Sequence, residues 1–132
     1  MLRTKEQYRE RLFNMKPNVC IGGKMVRRDD PRLIPGVRVL DLTFDVAQDP
    51  KWKGLATATS SVTGGEINRW SHLPQNPYDL MQKQKLIRLT ARRVGGCIQR
   101  CMGHDAINAV LLKTIHQSVL CAKILEVVLK YR

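Results

Sequence analysis

With 132 residues, 43% of them hydrophobic, the chain is long enough for one domain with a modest core and too apolar for a disordered tail. Its formal net charge of +12 calls for anionic contacts: nucleic acid, acidic lipid, a phosphorylated ligand or an acidic partner. No apolar run reaches the roughly eighteen residues of a transmembrane helix, and the charged start Met1-Leu2-Arg3-Thr4-Lys5-Glu6 has no signal-peptide hydrophobic region, so no membrane partner and a cytoplasmic location are expected.

Thr4 followed by Gln7 has the pattern of a capping box and predicts a helix from Lys5 to Asn14, with Tyr8 and Leu12 on one face. Pro17 ends that segment. Val19 to Val26 reads as two short strands around Gly22-Gly23. These glycines suit a hairpin and not a phosphate loop, because the spacing, the following Lys-Ser/Thr and the helix of a phosphate loop are missing. After the polar connection Arg27-Arg28-Asp29-Asp30-Pro31, Pro35-Gly36 precedes Val37, Leu40, Phe44 and Ala47, whose spacing is helical. Asp49-Pro50 stops this helix. Gly54 to Glu66 is rich in Thr, Ser, Ala and Gly and reads as a loop with one short extended piece.

Leu73-Pro74-Gln75-Asn76-Pro77 is the next break. Asn76 can cap a helix, Pro77 suits its first position and Asp79 its first turn. The predicted helix is long: Leu80, Ile87, Ala91, Val94, Ile98 and Cys101 form one stripe. Within it Lys83, Lys85, Arg88, Arg92, Arg93 and Arg100 run without an acid, which on charge alone reads as a solvated face. Gly95-Gly96 weakens the helix, and permits either a kink or close approach of a backbone or cofactor. Beyond Gly103, Asp105 to Lys130 is helical in pattern and apolar on more than one face, which calls for neighbours on several sides.

Four cysteines occur, Cys20, Cys97, Cys101 and Cys121. Without an export signal they are expected to be reduced. On one helix Cys97 and Cys101 would have Cβ atoms about 5–6 Å apart. A disulfide wants roughly 3.5–4.5 Å, so ligation or burial is favoured over a bridge. Soft thiolates select zinc, copper(I) or iron–sulfur clusters, but two ligands are too few for a stable site. On spacing alone burial outweighs ligation, since free cysteine is commonly buried. His104 could join the pair, but no fourth ligand stands out. Cys20 reads as structural, His72 as a loop surface residue, His116 as helix packing, and Trp52 and Trp70 as packing anchors.

The stretch Gly96-Cys97-Ile98-Gln99-Arg100-Cys101-Met102-Gly103-His104-Asp105-Ala106-Ile107-Asn108-Ala109-Val110 resembles the signature of the 4-hydroxybutyryl-CoA dehydratase/vinylacetyl-CoA isomerase branch of the 4-hydroxyphenylacetate 3-hydroxylase flavoproteins. Thr4-Lys5-Glu6-Gln7-Tyr8, Ala47-Gln48-Asp49-Pro50, Glu66-Ile67-Asn68-Arg69 and Asp79-Leu80 resemble the same amino-terminal domain, in order along most of the chain. The cysteine pair points to the dehydratase branch, because the flavin hydroxylases lack it. The resemblance implies a mainly α fold: residues 1–132 as a single amino-terminal helical domain of an acyl-CoA-dehydrogenase-like fold, with a short β-hairpin and the remaining domains absent.

It also implies that Cys97 and Cys101 are two of four ligands to a 4Fe–4S cluster, the other two lying in the absent part. FAD, the general base and most substrate contacts belong there or to a neighbouring subunit. Arg88 and Gln99 match positions that face substrate or cofactor. The complete enzyme would act on an acyl-CoA, as a homo-oligomer or with a separate large subunit; this chain alone would be inactive and would hold neither cofactor stably. Two other readings stand beside this one. A fragment of a flavin-dependent hydroxylase would use the cysteines only for packing. A basic nucleic-acid-binding module suits the charge, but aromatic content is 5% and no zinc-finger or RNA-recognition signature occurs.

Overall fold

The computed structural model describes residues 2–98 and 100–115, the last five as backbone only. The chain divides into two compact units between Ile98 and Gln99. In the first, the elements run α1 (Lys5–Phe13), β1 (Val19–Ile21), β2 (Lys24–Val26), α2 (Ile34–Gln48), α3 (Lys53–Ala56), β3 (Thr57–Thr59), β4 (Glu66–Asn68), a 3-10 turn (Arg69–Ser71) and α4 (Pro77–Val94). The second holds α5 (Arg100–Ile115). The architecture is mainly α with two small antiparallel hairpins, as expected, save that one hairpin was foreseen.

Local chemistry sets the helix ends. Thr4 and Gln7 form the full capping box: the Gln7 N–H donates to Thr4 Oγ1 at 3.4 Å and the Thr4 N–H to Gln7 Oε1 at 3.0 Å. The first hairpin turns on Gly22 and Gly23, both at positive φ (58° and 76°), where a side chain would be strained. Its register pairs Val19 with Val26 and Ile21 with Lys24. Helix α2 ends at Asp49, before Pro50, as the pair requires.

Residues 54–66 differ from expectation. The Asp49 carbonyl accepts from the N–H groups of Trp52 (2.9 Å) and Lys53 (2.8 Å), which starts the single turn α3. A second hairpin follows, pairing Thr57 with Asn68 and Thr59 with Glu66. Its loop is organised by Ser60, whose Oγ accepts from the N–H groups of Val62 and Thr63 at 3.2 Å each. Strands of three residues, Thr57-Ala58-Thr59 and Glu66-Ile67-Asn68, are too short to show an alternating pattern.

The core of the first unit gathers Val37, Phe44, Val46 and Ala47 of α2, Ala56, Trp70 and Leu86. Tyr8 stacks on Phe44 with ring centroids 5.0 Å apart, which brings α1 onto α2. Arg9 forms a bidentate pair with the buried Asp41 carboxylate on the same side. Asn68 ties the second hairpin to α2: its Nδ2 donates to the Thr43 carbonyl at 2.8 Å, and its Oδ1 accepts from the Trp70 N–H at 3.1 Å. Trp70 is fully buried.

Helix α4 begins as foreseen, with Asn76 Oδ1 accepting from the Asp79 N–H at 2.9 Å and Pro77 at its start. Its buried stripe is another one. Lys83, Leu86 and Thr90 face inward, while Leu80 is exposed. Thr90 is tolerated there because its hydroxyl donates to the Leu86 carbonyl at 2.9 Å. Lys85, Arg88, Arg92 and Arg93 are exposed, in keeping with a solvated face, but Lys83 is not.

The expected run of α4 through Cys101 does not occur. Gly95 takes the left-handed conformation (φ 75°) and closes the helix, and the N–H groups of Gly95 and Gly96 both donate to the Ala91 carbonyl. Helix α5 then starts at Arg100, not Asp105, and Gly103 lies inside it. The expected stretch beyond residue 115, with His116 and Cys121, lies outside the described residues. Among the described residues no helix is long and apolar enough to cross a membrane.

Replacing Asn68 with Ala removes both of its buried hydrogen bonds. Urea denaturation followed by far-UV circular dichroism is expected to show a loss of about 1–3 kcal/mol.

Candidate functional site

The two foreseen ligand cysteines lie on different elements. Cys97 is exposed, in the connection after α4, and closes the first unit together with Ile98. Cys101 is half-buried, in the first turn of α5 in the second unit. The reading of both thiols on one helical face is therefore corrected, because Gly95 ends the helix two residues before Cys97.

What fixes Cys97 locally is on either side of it. Upstream are the paired Gly95 and Gly96 amides on Ala91. Downstream Ile98 is only 5% exposed and anchors the connection in the core. The thiol thus stands out from a short segment held at both ends. Cys101 sits where backbone N–H groups and the helix dipole favour negative charge, which a thiolate ligand carries. Thiolates are soft donors of the kind that bind a soft metal or an iron–sulfur cluster, and two of them are fewer than the four ligands such a site needs. Among the described residues no group of three or more His, Cys, Asp or Glu side chains is placed to hold a metal ion.

Arg88 is exposed on α4, and Gln99 lies outside the described residues. His104 is half-buried on α5, three residues past Cys101. Cys20, read as structural, is exposed in β1.

A polar cleft of about 480 Å³ opens between the second hairpin and the start of α4, lined in part by Thr57, Glu66, Arg69, His72, Tyr78 and Asp79. Arg69 is buried in its wall and donates to the Leu55 and Thr57 carbonyls at 2.6 and 2.7 Å. Burial pushes its guanidinium pKa down. His72 was foreseen on the surface but is 8% exposed. Its Nε2 lies 3.2 Å from Asp79 Oδ2, within ion-pair distance but outside hydrogen-bond alignment. The Asp79 carboxyl is held below the usual carboxylate range, first by the Gln75 N–H that donates to it at 3.0 Å and then by His72. The carboxylate of Glu66 is matched by Lys53 Nζ at 3.3 Å, and that of Asp79 faces Arg69 and His72, so the cleft has no strong net sign. The sequence signal for it was the polar run from Arg69 to Asp79 flanking a helix start, which gives no period.

Residues 4–127 match the family model described as "4-hydroxyphenylacetate 3-hydroxylase N terminal". The chain belongs to that family. It is 38% identical over 116 residues to the 4-hydroxybutyryl-CoA dehydratase/vinylacetyl-CoA-Δ-isomerase of Clostridium aminobutyricum, a match that covers 86% of this chain and 24% of the relative. An oxygen-tolerant archaeal 4-hydroxybutyryl-CoA dehydratase from N. maritimus superposes with a TM-score of 0.82 and 30% identity, over 97% of this chain and 27% of that one. The chain therefore spans about a quarter of the length of both relatives. Within this family domain, Cys97 and Cys101 lie inside the matched region, as does the His72–Asp79 cleft.

The depressed Asp79 pKa fixes the sign of a pH effect. Its ionised form stabilises the fold above the ordinary carboxylate pKa, and that contribution is lost as pH falls through the lower folded value. Thermal melts of Asp79→Asn are thus expected to show a deficit against the parent at pH 7 that narrows progressively below the ordinary value of 3.8.

Proposed function

We propose that this chain is the amino-terminal part of an enzyme of the 4-hydroxybutyryl-CoA dehydratase/vinylacetyl-CoA isomerase type, and that it contributes Cys97 and Cys101 as two of the four ligands of a 4Fe–4S cluster. The observation that carries the reading is the agreement of two matches, one in sequence and one in fold, on 4-hydroxybutyryl-CoA dehydratases. The presence of both cysteines, each on a segment suited to a thiolate ligand, supports it. Because about three quarters of each relative's length has no counterpart here, the remaining ligands, the FAD site and most acyl-CoA contacts are assigned to polypeptide beyond this domain. An acyl-CoA-dehydrogenase-like setting for the domain, in a homo-oligomer or with a large subunit, is part of the same proposal.

In the assembled enzyme the cluster and the flavin would supply Lewis acidity and electron-acceptor chemistry at the acyl-CoA. This domain's own residues hold thiolates in place. Gly95, Gly96 and Ile98 fix the Cys97 segment, and the α5 N-terminus stabilises the charge that Cys101 carries as a ligand. Arg88, exposed on α4, is proposed to face substrate or cofactor, and Gln99 with it.

Anaerobic reconstitution of the chain alone with iron and sulfide tests the shared site. The expected result is substoichiometric iron that is lost on gel filtration. A stable four-iron cluster on this chain would overturn the claim that the ligand set is shared.

A further inference from the structure

The connection that bears Cys97 begins with two adjacent glycines, which close α4 readily but leave the backbone beyond it conformationally freer than other residues would. One contact outside the backbone bears on it. Arg93, in the last turn of α4, places its guanidinium carbon 5.6 Å from the centroid of the Trp52 ring. The ammonium of Lys51 lies 5.1 Å from the same centroid.

Trp52 is itself held. Its N–H donates to the Asp49 carbonyl at 2.9 Å, and it caps the start of α3, which packs against both α2 and α4. Its Nε1 is buried without a hydrogen-bond partner among the described residues, so the indole is kept there by its ring contacts and not by a polar bond. The ring is thus a platform fixed to the rest of the first unit. Arg93 reaches it from two residues before the left-handed Gly95 and four before Cys97. A cation at a helix C-terminus also complements the helix dipole, so Arg93 stabilises the final turn in two ways.

We propose that Trp52 is a positioning residue for Cys97, acting through Arg93: the cation–π contact clamps the last turn of α4 and thereby sets where the Gly95-Gly96-Cys97 segment leaves the helix. The clamp deepens the proposed function, because positioning matters only where Cys97 is a ligand. Its physical effect, however, can be measured without any metal.

The test is amide hydrogen exchange, read residue by residue by NMR on the metal-free chain. Arg93→Met keeps the stem and removes the cation. It is expected to speed exchange at Gly95 and Gly96 about threefold or more, the size of a partly exposed cation–π contact. Arg93→Lys is expected to restore most of the protection, and Trp52→Phe to fall between. Amides of α1 and α2 should keep their rates in every variant. Unchanged exchange at Gly95 and Gly96 in Arg93→Met would overturn the clamp. So would an equal acceleration in α2, which would mark a general loss of stability, or a failure of Arg93→Lys to restore protection. Cys97→Ser is expected to leave these rates as they are. Failure of the clamp is therefore read in exchange, and failure of the ligand reading in iron content.

Discussion

The left-handed backbone of Gly95 decides what this domain presents. At φ 75° a residue with a Cβ would pay about 1 kcal/mol or more, and glycine does not. With the helix closed there, the Gly95 and Gly96 amides turn back onto Ala91, and the chain leaves α4 as a short non-helical connection. Cys97 is therefore displayed by a loop and Cys101 by the start of a new helix. Two thiols placed in this way do not depend on the i, i+4 spacing of one helix. Each thiol inherits its own environment: exposure and two-sided anchoring for Cys97, a helix N-terminus for Cys101.

The rest of the first unit serves to hold α4. Asn68 links the second hairpin to α2 by two buried hydrogen bonds, and Trp70 fills the space beside them. The capped start of α4 is fixed by Asn76 and by the Asp79 carboxylate that accepts from Gln75. The buried stripe Leu86 and Thr90 then carries the helix across the core to its glycine end. Thr90 and Asn68 are buried with their polar groups bonded, the usual condition for burying them, whereas the Trp52 and Trp70 Nε1 atoms and both His72 ring nitrogens are buried without a hydrogen-bond partner among the described residues.

Features that rest on neighbouring residues were legible in the sequence. The Thr4–Gln7 box, the Gly22-Gly23 turn, the Asp49-Pro50 stop and the Asn76-Pro77 start are each set within a few residues, and the structure has all of them. What depended on tertiary competition was not legible. Two glycine sites, Gly95-Gly96 and Gly103, could each have broken the helix. The adjacent pair did so, and the single glycine was absorbed into α5. Lys83 is buried because its face of α4 happens to meet the core, and a charge pattern does not reveal that. His72 is buried by the hairpin and α4 around it, and a single histidine between Ser71 and Leu73 carries no period to announce it. The second hairpin was hidden because its strands are only three residues long. The reading of Cys97 and Cys101 as ligands came only through resemblance, since spacing alone favoured burial.

Cys97 and Cys101 are proposed as two ligands of one cluster in an enzyme of which this domain is one part. The most direct measurement is the iron content and Mössbauer spectrum of this chain assembled anaerobically with the polypeptide that carries the rest of the enzyme, compared with its Cys97→Ser and Cys101→Ser variants. The account expects about four irons per assembly with a cubane spectrum in the parent, and loss of that cluster or of its fourfold stoichiometry in each variant. Full iron content and an unchanged spectrum in either variant would contradict it.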